Sequence, residues 1–516
     1  MTKSPGGSTL SPQTQDQEAA FALLADPASH GGAPVRRIDT HAASVFLAGD
    51  RAYKVKRAVR FPFLDYSTLA KRKAACEAEI EVNRPFAPQL YRAVVPLTRE
   101  ADGTLAIDGD GDAVEWTLLM RRFDETQTLD HLAGAGRIDR ALAEALGRAV
   151  AEAHARLPDT DAVAWIKSLP TVIAQNDEDL RKHPELFPPG ETTALRQNTE
   201  AAFEKVHPLL DARGRAGLVR RCHGDLHLGN IALINGKPVL FDAIEFDPLI
   251  AAGDLFYDLA FLLMDMVERD LRTAASLVLN RYLRARRNDD DLDALAALPL
   301  FMSLRAAIRA KVTAIKDSSG ETAKSARAYF ALAQRLLKPP APQLVAVGGL
   351  SGTGKSMLAE ELASHILPEP GAVVIRSDVE RKAMFGIAET DRLPASAYTS
   401  EVTEKVYRRI AALASRALGA GHSVIADAVF ARADERAAIE AVAREAGVEF
   451  HGLFLTADLA TRVTRIGGRK ADASDADAAV AQRQEDYDLG ALDWAQVDAA
   501  GTPAETLHRA RTALGP

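Results

Sequence analysis

The chain has 516 residues, of which 47% are hydrophobic and 26% are charged, and its formal net charge is −8. This length and composition predict roughly two to four globular domains and exclude wholesale disorder or a fibrous repeat. Neither half of the chain is basic, which disfavours nucleic acid as a partner, because binding to a phosphate backbone requires clustered lysine and arginine.

The N-terminus and the cysteines indicate the compartment. Residues 1–17 are polar, which predicts a disordered tail, and they contain no apolar core of a signal peptide. Cys76 and Cys222 are far apart, so neither a Cys-x-x-Cys metal site nor a redox pair is expected. The apolar run at 255–266 is interrupted by two aspartates, which favours a buried helix over a membrane span. We therefore expect a cytoplasmic protein with no membrane partner.

Residues 18–337 show strand patterns first and helical periodicity afterwards. In chain order, the patterns predict a hairpin over 35–56 with its turn at Gly49-Asp50, a helix over 68–83, strands around 90–96 and 115–120, and helices from 138 to about 337. Residues 218–246 interrupt these helices with short apolar runs, turns and polar side chains. We expect an α+β domain, a sheet followed by a helical lobe, with its chemistry in that interruption.

The interruption carries a motif that suits phosphoryl transfer. It reads HGDLHLGN at 223–230, and the strand-like segment PVLFD follows at 238–242. An aspartate, an asparagine five residues later and an aspartate at a strand end match the spacing of a kinase catalytic loop. Asp225 is expected to accept the proton of the acceptor hydroxyl, and Asn230 and Asp242 are expected to bind Mg²⁺.

The two histidines of this motif allow another interpretation. His223 and His227 have the i, i+4 spacing that suits zinc on a helix, but Gly224 and the loop-like context disfavour a helix. No H-E-x-x-H pattern is present. We expect His223 to brace the loop instead.

These residues resemble a known family. The segment resembles the aminoglycoside phosphotransferase family, also called choline-kinase-like, and specifically its bacterial branch fused to a P-loop kinase. The resemblance covers most of residues 35–335 and rests on TH at 40–41, YKVK at 53–56, FPFLD at 61–65, HGDLHLGN at 223–230 and FDAIEF at 241–246. It implies a bilobal, protein-kinase-like α+β fold that uses ATP and Mg²⁺ to phosphorylate a small-molecule hydroxyl group.

The same resemblance implies a lysine that holds ATP and a carboxylate that orients it. Lys54 is expected to bind the α and β phosphates, and Lys56, on the same strand face, is a rival. Glu79 is expected to orient that lysine, with Glu77 and Glu81 as alternatives on the same stretch. The chain has no G-x-G-x-x-G loop before the strand lysine, which argues against a protein kinase.

A proline-rich connector at 338–343 separates a second kind of sequence. Beyond it, apolar segments at 344–347, 373–375, 424–425 and 452–455 alternate with amphipathic helical patterns. This is a βαβ rhythm, which predicts an α/β domain with a parallel sheet over 344–516.

The strongest motif opens this second domain. The sequence GLSGTGKS at 349–356, after a strand and before a helical pattern, matches the P-loop. The loop is expected to bind ATP through backbone N–H groups, with Lys355 on the β and γ phosphates and the Ser356 hydroxyl on Mg²⁺. The predicted ATP-binding residues are Gly349, Ser351, Gly352, Thr353, Gly354, Lys355 and Ser356. A hydrolase nucleophile elbow around Ser351 is unsupported, because Thr353 stands where glycine is required.

Two acids follow apolar strands of this domain, where ligands gather in open α/β sheets. Asp378 and Asp427 are expected either to hold Mg²⁺ through water or to orient and deprotonate an acceptor hydroxyl. For Asp378, a helix N-cap is the alternative. Arg469, which precedes a polar segment at 470–477, is expected to stabilise the transferring phosphoryl group. It is one of four arginines in this region, and the alternative interpretation of each is a solvated, charged helix face: Arg462, Arg465, Arg469 and Arg483.

Residues 349 to about 484 resemble the P-loop small-molecule kinases related to gluconate kinase, zeta toxin and polynucleotide kinase. The resemblance implies that Asp378 and Arg381 line the acceptor site and that residues 470–477 form a lid. Taken together, the two halves predict a bifunctional phosphotransferase that uses ATP and Mg²⁺ at two sites and small-molecule hydroxyl acceptors. The alternatives are an ATP-sensing regulatory protein and a polynucleotide end-kinase.

Overall fold

The computed structural model describes residues 12–61, 64–316, 319–468 and 473–515. The chain forms two compact units. The first unit contains the residues up to Arg137 together with Ala153–Trp165 and Gly214–Asp258, and the second unit contains Ile138–Glu152, Ile166–Arg213 and the chain from Leu259 onward. This division differs from the predicted boundary at 338–343, because most of the helical lobe belongs to the same unit as the C-terminal sheet.

The secondary structure alternates between short strands and helices of variable length. The strands are β1 (Val35–Asp39), β2 (Ala43–Ala48), β3 (Arg51–Lys56), β4 (Arg60–Phe61), β5 (Leu64–Asp65), β6 (Tyr91–Arg99), β7 (Leu105–Ile107), β8 (Asp112–Arg121), β9 (Val219–Arg221), β10 (Ile231–Ile234), β11 (Lys237–Leu240), β12 (Ala252–Asp254), β13 (Gln343–Gly349), β14 (Val373–Arg376), β15 (Val424–Asp427), β16 (Glu449–Thr456) and β17 (Ala495–Asp498). The helices are α1 (Pro12–Ala25), α2 (Leu69–Asn83), α3 (Leu129–Gly134), α4 (Arg140–His154), α5 (Ala162–Arg181), α6 (Pro189–Arg215), α7 (Pro248–Ala251), α8 (Leu255–Glu268), α9 (Arg272–Arg286), α10 (Asp290–Asp293), α11 (Leu298–Lys316), α12 (Gly320–Leu336), α13 (Lys355–Ala363), α14 (Ser377–Met384), α15 (Ser400–Gly419), α16 (Ala433–Ala446), α17 (Leu459–Gly467), α18 (Ala478–Arg483) and α19 (Pro503–Leu514).

The first unit is built on an antiparallel sheet of six strands in the order β1-β2-β3-β8-β6-β7. The predicted hairpin is confirmed, since β2 and β3 pair antiparallel on either side of Gly49-Asp50. The predicted helix is also confirmed as α2, whose first turn is capped by the Thr68 hydroxyl accepting from Lys71 N. The prediction of a disordered tail over 1–17 was wrong for its last residues, because α1 already begins at Pro12.

Helix α1 is held against the sheet by apolar and polar contacts. Phe21 packs with Phe46 and Tyr53 in one buried cluster. The buried Gln17 amide donates to Lys56 O at 3.1 Å and to a Glu115 carboxylate oxygen at 2.6 Å. The polar composition of this segment did not predict a helix, because the buried face of α1 includes the Gln17 amide, whose partners are distant in sequence.

The second unit contains a parallel sheet of five strands in the order β14-β15-β13-β16-β17. The four predicted strands and their parallel pairing are confirmed. Strand β17, which pairs parallel with β16, was not predicted. It carries one buried side chain, Val497, so its sequence lacks the apolar run that marked the other strands.

The apolar run at 255–266 lies within helix α8 and is buried throughout, as predicted. Among the helices of the described residues, none is long and apolar enough to cross a membrane.

Candidate active sites

In the first unit, the ammonium group of Lys54 on strand β3 lies between two carboxylates. Its Nζ is 2.8 Å from Glu79 Oε1 and 2.6 Å from Asp242 Oδ1. Burial by itself lowers the pKa of Lys54, but Asp242 and Glu79 outweigh it and hold that pKa well above its usual range. The lysine is therefore a charged group fixed by α2 on one side and by the segment after β11 on the other.

Glu79 is the carboxylate that reaches the lysines. It is fully buried, and its second oxygen, Oε2, is 2.5 Å from Lys56 Nζ. Burial raises the pKa of Glu79, but Lys54 and Lys56 together outweigh burial and lower that pKa. The two sequence alternatives, Glu77 and Glu81, are exposed.

The rival lysine has a different second partner. Lys56 Nζ is 2.5 Å from Glu245 Oε1, which also accepts a hydrogen bond of 2.7 Å from Tyr66 Oη. Lys54 thus contacts Asp242, whereas Lys56 contacts the acid three residues further on. Because alternate residues of a strand share one face, only the folded arrangement of the later segment distinguishes the two lysines.

Helix α2 is positioned by two polar contacts along its length. Near its start, the buried Arg72 guanidinium donates to both carboxylate oxygens of Glu115 on β8, at 2.9 and 2.8 Å. At its end, the Asn83 amide pairs with both backbone groups of Ala243, donating to its oxygen at 3.1 Å and accepting from its nitrogen at 2.7 Å. The helix therefore carries Glu79 and also holds the residue that follows Asp242.

Asp242 has a left-handed backbone, with φ of 63°, which aspartate tolerates better than most side chains. Its N–H donates to Tyr91 Oη at 3.0 Å. Burial raises the pKa of Tyr91 well above its usual range, so this phenol stays neutral. The carboxylate of Asp242 is 44% exposed, which leaves it accessible to a ligand as well as to Lys54.

The loop that carries Asp225 is held by Asp258 on α8, which accepts hydrogen bonds from the loop backbone. Asp258 Oδ1 accepts from Gly224 N at 2.9 Å, and Oδ2 accepts from His223 N at 3.2 Å and lies 3.2 Å from His154 Nε2. His223 Nε2 is 2.9 Å from Phe241 O, the residue before Asp242. Burial lowers the pKa of His223, although the nearby carboxylates oppose this shift. His223 thus connects the loop to the residue that follows strand β11.

Asp225 and Asn230 are joined directly. The Asn230 amide donates to both the backbone oxygen and the Oδ2 of Asp225, each at 3.0 Å. His227 Nε2 is 3.5 Å from Asp225 Oδ2, and its Nδ1 accepts from Gly229 N at 3.1 Å. The motif therefore folds back on itself and fixes the carboxylate that was predicted to be the base.

Several residues that hold this site were not singled out from the sequence: Asn83, Tyr91, His154, Glu245 and Asp258. Asp258 left a signal, because an ionisable side chain in an otherwise apolar helix must be paired when it is buried. Glu245 lies within the motif FDAIEF at 241–246, which gave it no role of its own, and the other three have no signal in their local sequence.

In the second unit, the predicted P-loop joins β13 to α13. Gly349, Gly352 and Gly354 have φ of 137°, 89° and 93°. A Cβ on Gly352 would lie 2.6 Å from Arg462 O, so both conformation and space require glycine there. Lys355 opens α13, and its Nζ donates to Leu350 O at 3.1 Å.

The loop is supported by α17 and the segment after α18. The buried Arg462 guanidinium donates to Ser351 O at 2.9 Å and to Ala481 O at 3.0 Å. Ser351 N donates to Gln484 Oε1 at 2.7 Å. Arg462 therefore neither lies on a solvated face nor is directed at a transferring phosphate, and it supports the loop from behind.

The two predicted acids differ in their surroundings. Asp427 ends β15 and is buried, and its Oδ2 is 3.4 Å from Arg376 Nε. Burial raises the pKa of Asp427, while Arg376, Lys355 and a hydrogen bond from Ser356 act in the opposite direction. Asp378 is the second residue of α14, whose N-cap is Arg376, so the N-cap alternative was wrong.

A cavity of about 1590 Å³ opens over the P-loop. Its lining includes the loop residues from Ser351 to Ser356, Asp378, Arg381, Asp427, Arg465 and Arg483. Arg381 Nη1 donates to Ala397 O at 2.7 Å, and its guanidinium lies over the Tyr398 ring. Asp378 and Arg381 both lie on α14, so this helix contributes two charged side chains to the cavity.

The predicted lid is described in part. Arg469 and residues 470–472 lie outside the described residues. Asp475, at the other end of the lid, accepts from Tyr398 Oη at 2.7 Å and pairs with Lys382 Nζ at 3.1 Å.

Two protein-family models match this chain, one in each half. Residues 38–298, more than half of the chain, match the model of the Phosphotransferase enzyme family, and residues 344–487 match a family model described as AAA domain. The chain belongs to the phosphotransferase enzyme family and carries a second, P-loop kinase domain. It is an ATP-dependent kinase of the transferase class.

Its relatives share both halves. Uncharacterized protein Rv2004c of Mycobacterium tuberculosis (strain ATCC 25618 / H37Rv) is 30% identical over 486 residues, which cover 92% of this chain and 94% of that protein. Uncharacterized protein Mb2027c of Mycobacterium bovis gives the same values. The two-domain arrangement therefore recurs in mycobacteria.

Two solved structures are similar to parts of the chain. A choline/ethanolamine kinase family protein from Mesorhizobium loti is 15% identical and matches 63% of this chain and 95% of its own, with a TM-score of 0.36. A gluconokinase from Sinorhizobium meliloti 1021 is 22% identical and matches 34% of this chain and 91% of its own, with a TM-score of 0.25.

Proposed function

We propose that the chain is a bifunctional phosphotransferase, which transfers the γ-phosphoryl group of ATP to hydroxyl groups of small molecules at two separate sites. The observation that carries the proposal is the presence, in each unit, of a fixed lysine ammonium next to acidic side chains suited to Mg²⁺. In the first unit these are Lys54 and Asp242. In the second unit they are Lys355 and Asp427.

At the first site, Asp225 acts as the base that accepts the proton of the acceptor hydroxyl. Its position fits this role, because the Asn230 amide fixes Oδ2 while the side chain stays 40% exposed to an incoming acceptor. Lys54 binds the α and β phosphates, and Glu79 orients it. We assign the role to Lys54 rather than Lys56 because it contacts Asp242.

The donors at the first site suit Mg²⁺. This cation is usually held by one or two protein carboxylates together with substrate phosphates, and Asp242 offers a half-exposed carboxylate beside Lys54. Asn230 and Asp242 would hold it. When bound, Mg²⁺ neutralises the negative charge of the phosphates.

At the second site, the backbone N–H groups of the P-loop and Lys355 bind the phosphates of ATP. Ser356 and the adjacent Asp427 carboxylate offer the hard oxygen ligands that Mg²⁺ prefers. Asp378, on the cavity wall with Arg381, orients and deprotonates the acceptor hydroxyl. Arg469 stabilises the charge on the transferring group. The cavity of about 1590 Å³ has room for both ATP and a small acceptor.

The test compares four proteins: wild type, Asp225→Ala, Lys355→Ala and the double variant. Each is incubated with ATP, Mg²⁺ and a cell metabolite extract, and phosphorylated products are identified by mass spectrometry. We expect two products, or one product phosphorylated twice, with each single variant losing one transfer by about 10² to 10⁴-fold. If the two products are different compounds, loss of both in one single variant would contradict separate sites.

An ATP-sensing regulator predicts a different result. It would bind ATP at both sites, and the wild type would show no acceptor-dependent turnover above the double variant.

A further inference from the structure

Helix α9 covers the edge strand of the parallel sheet in the second unit. Strand β14 lies at that edge, and the buried Asn280 side chain pairs with its backbone. Asn280 Nδ2 donates to Ala372 O at 3.0 Å, and Val374 N donates to Asn280 Oδ1 at 2.7 Å. The side-chain amide thus satisfies backbone groups that an edge strand leaves unpaired. This pairing fixes the position of α9 along β14.

One turn further along α9, Arg284 reaches the helix of the P-loop. Its Nη1 is 2.9 Å from Oε1 of Glu360 on α13, the helix that begins at Lys355. The other oxygen of Glu360, Oε2, accepts from Arg140 Nη1 of α4 at 2.7 Å. Helices α4 and α9, which precede the P-loop domain in sequence, therefore each contribute an arginine that pairs with Glu360 on α13.

Glu360 connects these cations to the site. Its Oε1, which binds Arg284, also lies 3.3 Å from Arg376 Nη1, and Arg376 Nε is 3.4 Å from Asp427 Oδ2. The four side chains are at most 13% exposed. Charge pairs that share atoms in such a poorly solvated region depend on one another, so a change in one pair alters the next.

We propose that Arg284 is a positioning residue for the P-loop site: through Glu360 and Arg376 it holds the Asp427 carboxylate beside Ser356. Without Arg284, Glu360 Oε1 draws Arg376 towards itself and away from Asp427, whose carboxylate then shifts. The helical lobe, which belongs in sequence to the N-terminal kinase, is in this way part of the scaffold of the second site. The inference rests on the proposed ATP turnover at the P-loop.

The test uses the full chain with the first site silenced by Lys54→Ala and Asp242→Asn. In that background, Arg284→Gln is compared with Arg281→Gln. Arg281 lies on the same helix and pairs with Glu389 at 2.6 Å, outside the set that leads to Asp427. Two quantities are measured: kcat and KM for ATP hydrolysis, and the gain in ATP affinity that Mg²⁺ confers.

We expect Arg284→Gln to lower kcat by about tenfold with KM for ATP within about twofold, and to reduce the Mg²⁺-dependent gain in affinity. Arg281→Gln should leave both quantities at the background value, and Arg284→Lys should restore most of kcat, because it returns the charge. A structural role alone would change melting temperature without this split between kcat and KM.

Equal values for Arg284→Gln and Arg281→Gln would overturn the inference while leaving the proposed function intact. If Arg284→Gln fails to fold, Glu360→Gln, which keeps the shape of the side chain, should show the same fall in kcat, and no fall there overturns the inference. If the background binds and hydrolyses Mg²⁺-ATP no better than a version that also carries Lys355→Ala, the proposed function of this site fails, and the inference fails with it.

Discussion

The two candidate kinase sites hold their lysines, Lys54 and Lys355, in different ways. Lys355 belongs to a contiguous loop of eight residues whose glycines shape the backbone around it. Lys54 is held by Glu79 and Asp242, which are 25 and 188 residues away in sequence. The loop is a local structure, whereas the first site exists only when a strand, a helix and a distant segment have packed together. A substitution at the first site should therefore cost stability as well as activity.

The largest effect is expected from Glu79→Gln, which tests that dependence on packing. It removes the buried carboxylate between the Lys54 and Lys56 ammonium groups, and breaking a buried ion pair costs about 3 to 5 kcal/mol of unfolding free energy. Because the pKa of Glu79 is lowered, the difference from wild type should be complete above the usual glutamate pKa of 4.5 and should shrink as the pH falls below it. Urea unfolding as a function of pH measures this.

Glu81→Gln is the matched control, since Glu81 is on the same helix and exposed. It should stay within about 0.5 kcal/mol of wild type. Equal costs for the two variants would mean that the first site is not held by the Glu79 contacts.

The second prediction asks whether the P-loop sheet also depends on distant contacts. His422 Nε2 is 2.9 Å from Gly371 O, which ties the segments that precede β15 and β14. Burial lowers the pKa of His422 to about 4, so the unfolded chain binds a proton there that the folded chain does not. Stability should therefore fall by about 3 kcal/mol between pH 6.5 and 4.

His422→Gln should remove that part of the pH dependence, whereas His207→Gln, at an exposed position on α6, should retain it. Hydrogen exchange of peptides from β14 and β15, recorded across this pH range, distinguishes the two variants. A wild-type pH response in His422→Gln would show that the acid sensitivity of the sheet has another origin.

The smallest effect is expected from Gly352→Ala, which tests whether the shape of the P-loop depends on its own glycines. Its φ of 89° and the 2.6 Å approach of a Cβ to Arg462 O should distort the loop and weaken ATP binding at this site by about 2 kcal/mol. Gly386→Ala is the control, because Gly386 also has a positive φ, of 67°, but open space around its Cβ. It should leave ATP affinity unchanged. The ATP affinity of the second site is measured for both variants, and equal affinities would contradict the prediction.

Local patterns predicted the parts of this protein that neighbouring residues specify. The hairpin at Gly49-Asp50, helix α2, the buried helix α8 and four strands of the parallel sheet followed from periodicity and turn residues. The missed elements have a common cause. The buried face of α1 includes Gln17, which needs partners on distant strands, and β17 buries a single side chain.

The candidate sites divide along the same line. The P-loop and the motif at 223–230 were recognisable because their chemistry depends on residues at fixed short spacing. The partners of those residues were not recognisable, because they come from elsewhere in the chain. Asp258 binds the backbone of the motif at 223–230, and Arg462 binds the backbone of the P-loop.

The amino-acid sequence by itself determined that this protein has two kinase-type motifs and their order in the chain, because each motif is a run of a few residues. The tertiary structure decided which of the neighbouring charges matter. It paired Glu79 rather than Glu77 or Glu81 with the lysines, because only the fold determines which face of α2 is buried against β3.

It also placed Arg284, which precedes the P-loop domain in sequence, in a series of contacts that leads to Asp427. Burial and the partner of a charge are properties of packing, and packing joins residues that no local pattern connects.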